Sequence, residues 1–228
     1  MIDWGKIIDE IIDTAMGVKK PEQPISKYNG EKVLVFKTSI IQSEDQFEGF
    51  IDGQKAKDFR EKYLIPSNLF YIDRDIAEED PSYKQVIPYC FITKPNQVFY
   101  YERSKKGSEE RLHNLCSFGV GGHINPCDGN SEETLSLACK RELDEEISYE
   151  GFKGSHFAGL INDNSDPVNS VHFGVVFHIK LDEDGKVEPK EAKLINKNFA
   201  DINKLNEQNM NLEKWSALLL EGCIKNIF

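Results

Sequence analysis

The sequence predicts a mixed α+β or α/β fold, a mixed sheet flanked by helices, on three observations. β-Branched and aromatic runs at residues 33–36, 85–92, 98–101, 157–161 and 171–181 read as strands. Residues 132–148 and 212–227 instead carry apolar residues at helical spacing. Strands and helices mix without a regular βαβ rhythm, which argues against a purely parallel sheet. At 228 residues the chain suits one well-packed domain with an extension, not two large domains.

Taken in order, residues 2–16 place Ile7, Ile8, Ile11 and Ile12 on one helical stripe, which gives out at Lys19-Lys20-Pro21. Residues 1–30 are therefore expected to be an N-terminal helix and linker. Residues 31–83 read as an α/β extension packed on the core, with a strand from Lys32 and a short helix over about 54–63, ahead of Pro66. No pattern in this third points to chemistry. The main domain is expected over 84–228. It opens with a hairpin turning at Lys94-Pro95-Asn96-Gln97, then a polar loop over 104–111 and a stretch bearing Gly119, Gly121 and Gly122. A further strand is expected within 191–205, and a closing amphipathic helix turns Trp215, Leu218, Leu219 and Cys223 inward.

Acidic residues number 39 against 28 basic, a net charge of −11, so the summed field repels polyanions and nucleic acid is a poor partner. The same balance suits a divalent cation, since carboxylates are natural ligands of hard cations. Five cysteines with no CxxC pair argue against a disulfide framework and a structural zinc site, and reduced thiols are expected. Neither a signal peptide nor an apolar run of about 20 residues is present, so the expected location is cytoplasmic, without membrane contact.

The informative segment runs from Gly121 to Ile147. Asn130 is suited to cap the helix, with Glu133 completing a capping box. At about 100° per residue, Glu142, Glu145 and Glu146 fall on the face that begins with Leu135, Ala138 and Cys139. These acids are expected to point at the protein body. Three like charges near a helix C-terminus require compensation, and Mg2+, or Mn2+ in its place, would supply it. Gly121 and Gly122 would let backbone approach metal and substrate closely. A bare ExxEE is more often a solvated face. The glycine pair, the capped helix and the shared apolar sector together favour the metal site.

These residues resemble the Nudix hydrolase box, G-x5-E-x7-R-E-U-x-E-E-x-G-U with U bulky and apolar. Glu133 and Arg141-Glu142-Leu143-Asp144-Glu145-Glu146 match its centre, and Gly122 its opening glycine. Two departures stand out: a longer loop between Gly122 and Glu133, and Ser148 in place of the late glycine. The resemblance implies an α/β/α sandwich with an N-terminal extension. It also implies Mg2+-dependent cleavage of a phosphoanhydride in a nucleoside diphosphate linked to another group.

By resemblance Glu142, Glu145, Glu146 and the Gly122 carbonyl are metal ligands, Arg141 orients the glutamates and Glu133 supports the box. A general base from a distant loop is expected at Glu191, with Glu188 behind it, although solvated loop charges fit both. His123 could touch phosphate, with a structural role weighing more; His172 and His178 read as sheet residues, His172 with a place at the pocket edge. Phe118, Tyr100 and Phe173 suit base stacking and core packing equally. The expected partner is a small-molecule diphosphate, with a homodimer as the commonest assembly. Rival readings are an isomerase like the isopentenyl diphosphate isomerases, which would want a reactive Cys116 or Cys127, and a non-catalytic ligand-sensing module.

Overall fold

A computed structural model describes residues 26–104, 114–190, 194–207 and 210–224. The expected helix at 2–16, most of the polar loop at 104–111, and Glu191 lie outside the described residues. Among those described, ten strands join one mixed sheet.

Strand β4 (Tyr83–Lys94) is its spine. One edge receives β1 (Lys32–Lys37), β7 (Gly119–Gly121) and β5 (Gln97–Arg103) in succession, all antiparallel. The other edge pairs in parallel with β9 (His172–Pro189), which continues antiparallel to β8 (Ile147–Asn162) and so to β2 (Gly49–Ile51). β3 (Phe70–Asp73) extends β1, while β6 (Cys116–Ser117) and β10 (Leu194–Asp201) pair with β5.

Helix α1 (Gly53–Tyr63), the short α2 (Arg74–Ala77), α3 (Thr134–Glu146) and α4 (Lys214–Gly222) complete the set. The β4–β5 hairpin turns on Pro95 and Asn96, the latter at φ 57°. Proline followed by a positive-φ residue is the order a type II turn requires.

Two-residue alternation along β4 sorts its side chains between layers. Val86 joins a core with α1 and with Leu135 and Ala138 of α3. Ile87, Tyr89 and Phe91 join a core with Trp215, Leu219 and Leu220 of α4. Cys90 and Ile92 meet Cys139 and Leu143 of α3. The sulfurs of Cys90 and Cys139 lie against each other between β4 and α3. No CxxC spacing signals this pair, because parallel layers bring together residues 49 apart in sequence.

The elements differ from expectation in extent. α3 starts at Thr134 and ends at Glu146, and the chain passes straight into β8, so Ser148 is a strand residue. Asn130 does not cap the helix. Its amide donates to the carbonyls of Leu69 (3.2 Å) and Pro66 (3.4 Å), while Ser131 and Thr134 close the helix start. The capping box sits one turn earlier, where Asn125 and Asp128 close the 3-10 turn Pro126–Asp128.

Candidate active site

The buried stripe of α3 is Leu135, Ala138, Cys139, Glu142, Leu143 and Glu146, following Thr134. Its apolar half packs on the sheet, and the phase that buries Cys139 also buries two carboxylates. Glu142 is 8% exposed and Glu146 6%. Glu145 lies roughly 90° from the centre of that stripe on a helical wheel, and its side chain is 55% exposed. The trio expected to point inward is thus a buried pair with an exposed third member at the rim.

Gly122 lies directly against Glu142: a Cβ there would come within 2.5 Å of Oε2 and 2.7 Å of Oε1. A side chain here would displace the Glu142 carboxylate, so the constraint is space, not backbone angle. At Gly121 a side chain would run into the Pro88 carbonyl.

Arg141 organises the surroundings. Its Nη1 donates to Glu142 Oε1 at 2.8 Å and to Glu145 Oε2 at 3.2 Å, and its Nη2 to the His123 carbonyl at 2.9 Å. Nε and Nη2 also grip both oxygens of Asp128 at 2.8 Å. Burial pushes the Glu142 carboxyl up to about 7; Arg141 opposes this, and the charges of Glu146 and Glu145 reinforce it. Glu146 in turn lies within electrostatic reach of Arg103 and Tyr101.

No family model matches the sequence. Protein YmaB of Bacillus subtilis (strain 168) is 39% identical over 154 residues, which is 65% of this chain and 75% of that protein. The crystal structure of Tm1382, assigned as a Nudix hydrolase, superposes with a TM-score of 0.69 at 30% identity. The match covers 87% of this chain and 100% of that one.

The chain is a Nudix hydrolase. As such it is an enzyme acting on phosphorus-containing anhydrides, and Arg141-Glu142-Leu143-Asp144-Glu145-Glu146 is the segment that resembles the Nudix box.

The structure brings Gly122, Arg141, Glu142 and Glu145 into one contact set, with Glu146 on the same buried face. Glu133 stands apart, exposed as the residue preceding α3. Glu188 is exposed and paired with Lys197. The His123 ring turns away from the box toward His172, at 5.5 Å between centroids. His178 stacks on Phe91 at 4.4 Å.

Phe118 belongs to the α4 core and Tyr100 packs against it. Phe173 lines a cavity of about 510 Å3 together with Phe47, Phe59, Lys84 and Asn162, and no Nudix-box residue borders that cavity. Burial pushes the Cys116 thiol up, away from the thiolate an isomerase would want.

Two features escape sequence reading. Asp128 supplies the carboxylate that holds Arg141, and it comes from the loop insertion itself; its signal is the Asn125-Pro126-Cys127-Asp128 capping box. Glu213, 4% exposed, accepts from Tyr89 (2.6 Å), Ser117 (2.6 Å), Ser216 (3.1 Å) and Arg103 (3.2 Å). It ties the start of α4 to the strands beside Glu146, and no local pattern announces it.

Proposed function

We propose that this Nudix hydrolase is a Mg2+-dependent pyrophosphohydrolase that splits the phosphoanhydride of a nucleoside diphosphate linked to a second group. The observation that carries this is the Glu142 carboxylate, buried against the bare Cα of Gly122 and beside a second buried carboxylate, Glu146. Two acids so placed, with one guanidinium between them and Asp128, fit a hard oxygen-seeking dication. Glu142, Glu145, Glu146 and the Gly122 carbonyl would hold Mg2+, or Mn2+ in its place.

Such an ion, when bound, neutralises charge on the diphosphate and lowers the pKa of an attacking water. The chain's own contribution is to hold Glu142 in one orientation through Arg141, which Asp128 and the His123 carbonyl fix in place. Glu133 has a supporting part at the helix start. Glu191 is retained as the candidate base, with Glu188 engaged by Lys197.

No helix of the described residues is long and apolar enough to cross a membrane. A cytoplasmic homodimer acting on a small-molecule diphosphate is the working assignment. Replacing Glu146 tests it: Glu146→Gln should lower Mg2+-dependent release of nucleoside monophosphate by about 10²–10⁴-fold across nucleotide sugars, ADP-ribose and dinucleoside polyphosphates. Full Mg2+-dependent activity in that variant would overturn the ligand assignment.

A further inference from the structure

On the sheet face opposite α3, three metal-binding side chains converge from distant parts of the chain. Glu78 follows α2, His123 follows Gly122, and His172 opens β9. One ligand atom from each lies within 4.8 Å of the others.

The protonation pattern prepares them for a cation. His172 Nδ1 lies 2.6 Å from the Val168 carbonyl; a carbonyl can only accept, so Nδ1 carries the proton, and burial, which holds the imidazole below its usual range, favours the neutral ring whose Nε2 presents a lone pair. That Nε2 faces Glu78 Oε1 at 4.0 Å. His123 Nε2 lies 3.9 Å from the same oxygen, and it is a buried atom with no hydrogen-bond partner. A carbonyl holding the far nitrogen of a ligating imidazole is the usual outer support of a metal site.

Ordinary hydrogen bonding does not explain this grouping. Both histidine–carboxylate separations exceed hydrogen-bond range, and an orphaned buried nitrogen costs about 1–3 kcal/mol. Gln85, the register partner of His172, is fully buried, and both its amide atoms lack a partner too. In a tetrahedral site with bonds of about 2.0–2.1 Å, ligand atoms stand about 3.3 Å apart. The two histidine–carboxylate separations of 3.9 and 4.0 Å need to close by about 0.6–0.7 Å, and the histidine–histidine separation, at most 4.8 Å, by no more than about 1.5 Å. Arg74 Nε donates to the same Glu78 oxygen at 3.1 Å, but a carboxylate keeps further lone pairs for a metal, and Arg74 Nη1 is paired with Glu31 at 2.9 Å.

We propose that Glu78, His123 and His172 form a metal site, separate from the carboxylates of α3, for a transition-metal dication of the Zn2+ class. Two imidazoles select against Mg2+, which prefers all-oxygen shells. Glu78 belongs to segment 31–83 and the histidines to 84–228, so the ion clamps one segment to the other directly behind the Gly122 turn. This holds whether or not the hydrolase substrate assignment does.

The test uses the full chain in excess Mg2+, which occupies oxygen-rich sites, with Zn2+ as the added metal and Co2+ as a visible-absorption reporter. Wild type should retain about one equivalent of Zn2+ and give the absorption of imidazole-ligated Co2+. His172→Ala and Glu78→Gln should each weaken Zn2+ binding on the order of 10²-fold, and Glu142→Gln should leave it unchanged. In wild type alone, the imidazole resonances of His123 and His172 should shift on Zn2+ addition, which keeps the test decisive if a variant fails to fold. Absence of tight Zn2+ binding by wild type, affinity unaltered in both variants, loss in Glu142→Gln, or shifts only at other histidines would each overturn the site.

Discussion

Arg141 holds Asp128 through two parallel hydrogen bonds of 2.8 Å, Nε to Oδ1 and Nη2 to Oδ2. Burial pushes the Asp128 carboxyl up, but Arg141 and the Asn125 N–H outweigh it and keep the group below the usual carboxylate range. Because the same guanidinium reaches Glu142 and Glu145, Asp128 is a positioning residue for both. Asp128→Asn should lower kcat about tenfold or more and cost about 1.5–3 kcal/mol in urea unfolding. The Mg2+ concentration for half-maximal activity should also rise, which a purely structural defect would not produce.

Gly122 leaves room that Glu142 occupies. Gly122→Ala puts a methyl within 2.5 Å of Glu142 Oε2, and the carboxylate must move aside. A misplacement of about 1 Å at a reacting centre costs on the order of 10²-fold in rate. That loss is expected in kcat/KM, with thermal stability changed far less; a variant as active as wild type would mean the contact does not matter to catalysis.

The Glu142 carboxyl, pushed up to about 7 from 4.5, makes the metal-free protein pH-sensitive. Below pH 4.5 folded and unfolded chains both hold the proton. Between about 4.5 and 7 the folded chain holds it and the unfolded chain releases it, so stability falls as pH rises. Acting alone this is worth roughly 3 kcal/mol, fully lost above pH 7. Mg2+ bound as proposed would compete with that proton, so its stabilisation should grow over the same window. Melting curves with EDTA and with Mg2+ from pH 4 to 8 would show the two lines converging at low pH.

Glu213 gathers Tyr89, Ser117, Ser216 and Arg103 around one buried carboxylate. Glu213→Ala strands a guanidinium and three hydroxyls and should cost about 3–5 kcal/mol. Tyr89→Phe removes one donor of four and should cost about 1 kcal/mol. Equal losses in the two variants, measured by denaturant midpoint, would show that Glu213 is not the centre of the group.

The hairpin at Pro95–Asn96, the strand from Lys32, α1 and the box helix were legible because each rests on local chemistry: a turn pair, a β-branched run, a 3.6-residue stripe. Their extents were less so. β8 and β9 run to 16 and 18 residues through charged and glycine-bearing stretches, because each supplies the other's hydrogen bonds regardless of propensity. Asn130 has the right side chain for a helix cap, yet the carbonyls of Leu69 and Pro66 claim it. Those carbonyls are 61 and 64 residues away in sequence.

Spacing alone determined that Arg141, Glu142, Glu145 and Glu146 share a helix and that Gly122 precedes them, since these are relations along one chain and one wheel. Only the tertiary structure decided that Glu145 sits at the rim, that Asp128 anchors Arg141, and that Glu78 meets His123 and His172. Burial and long-range contact depend on which surfaces pack together, and the free energy of that packing is summed over partners that no local window contains.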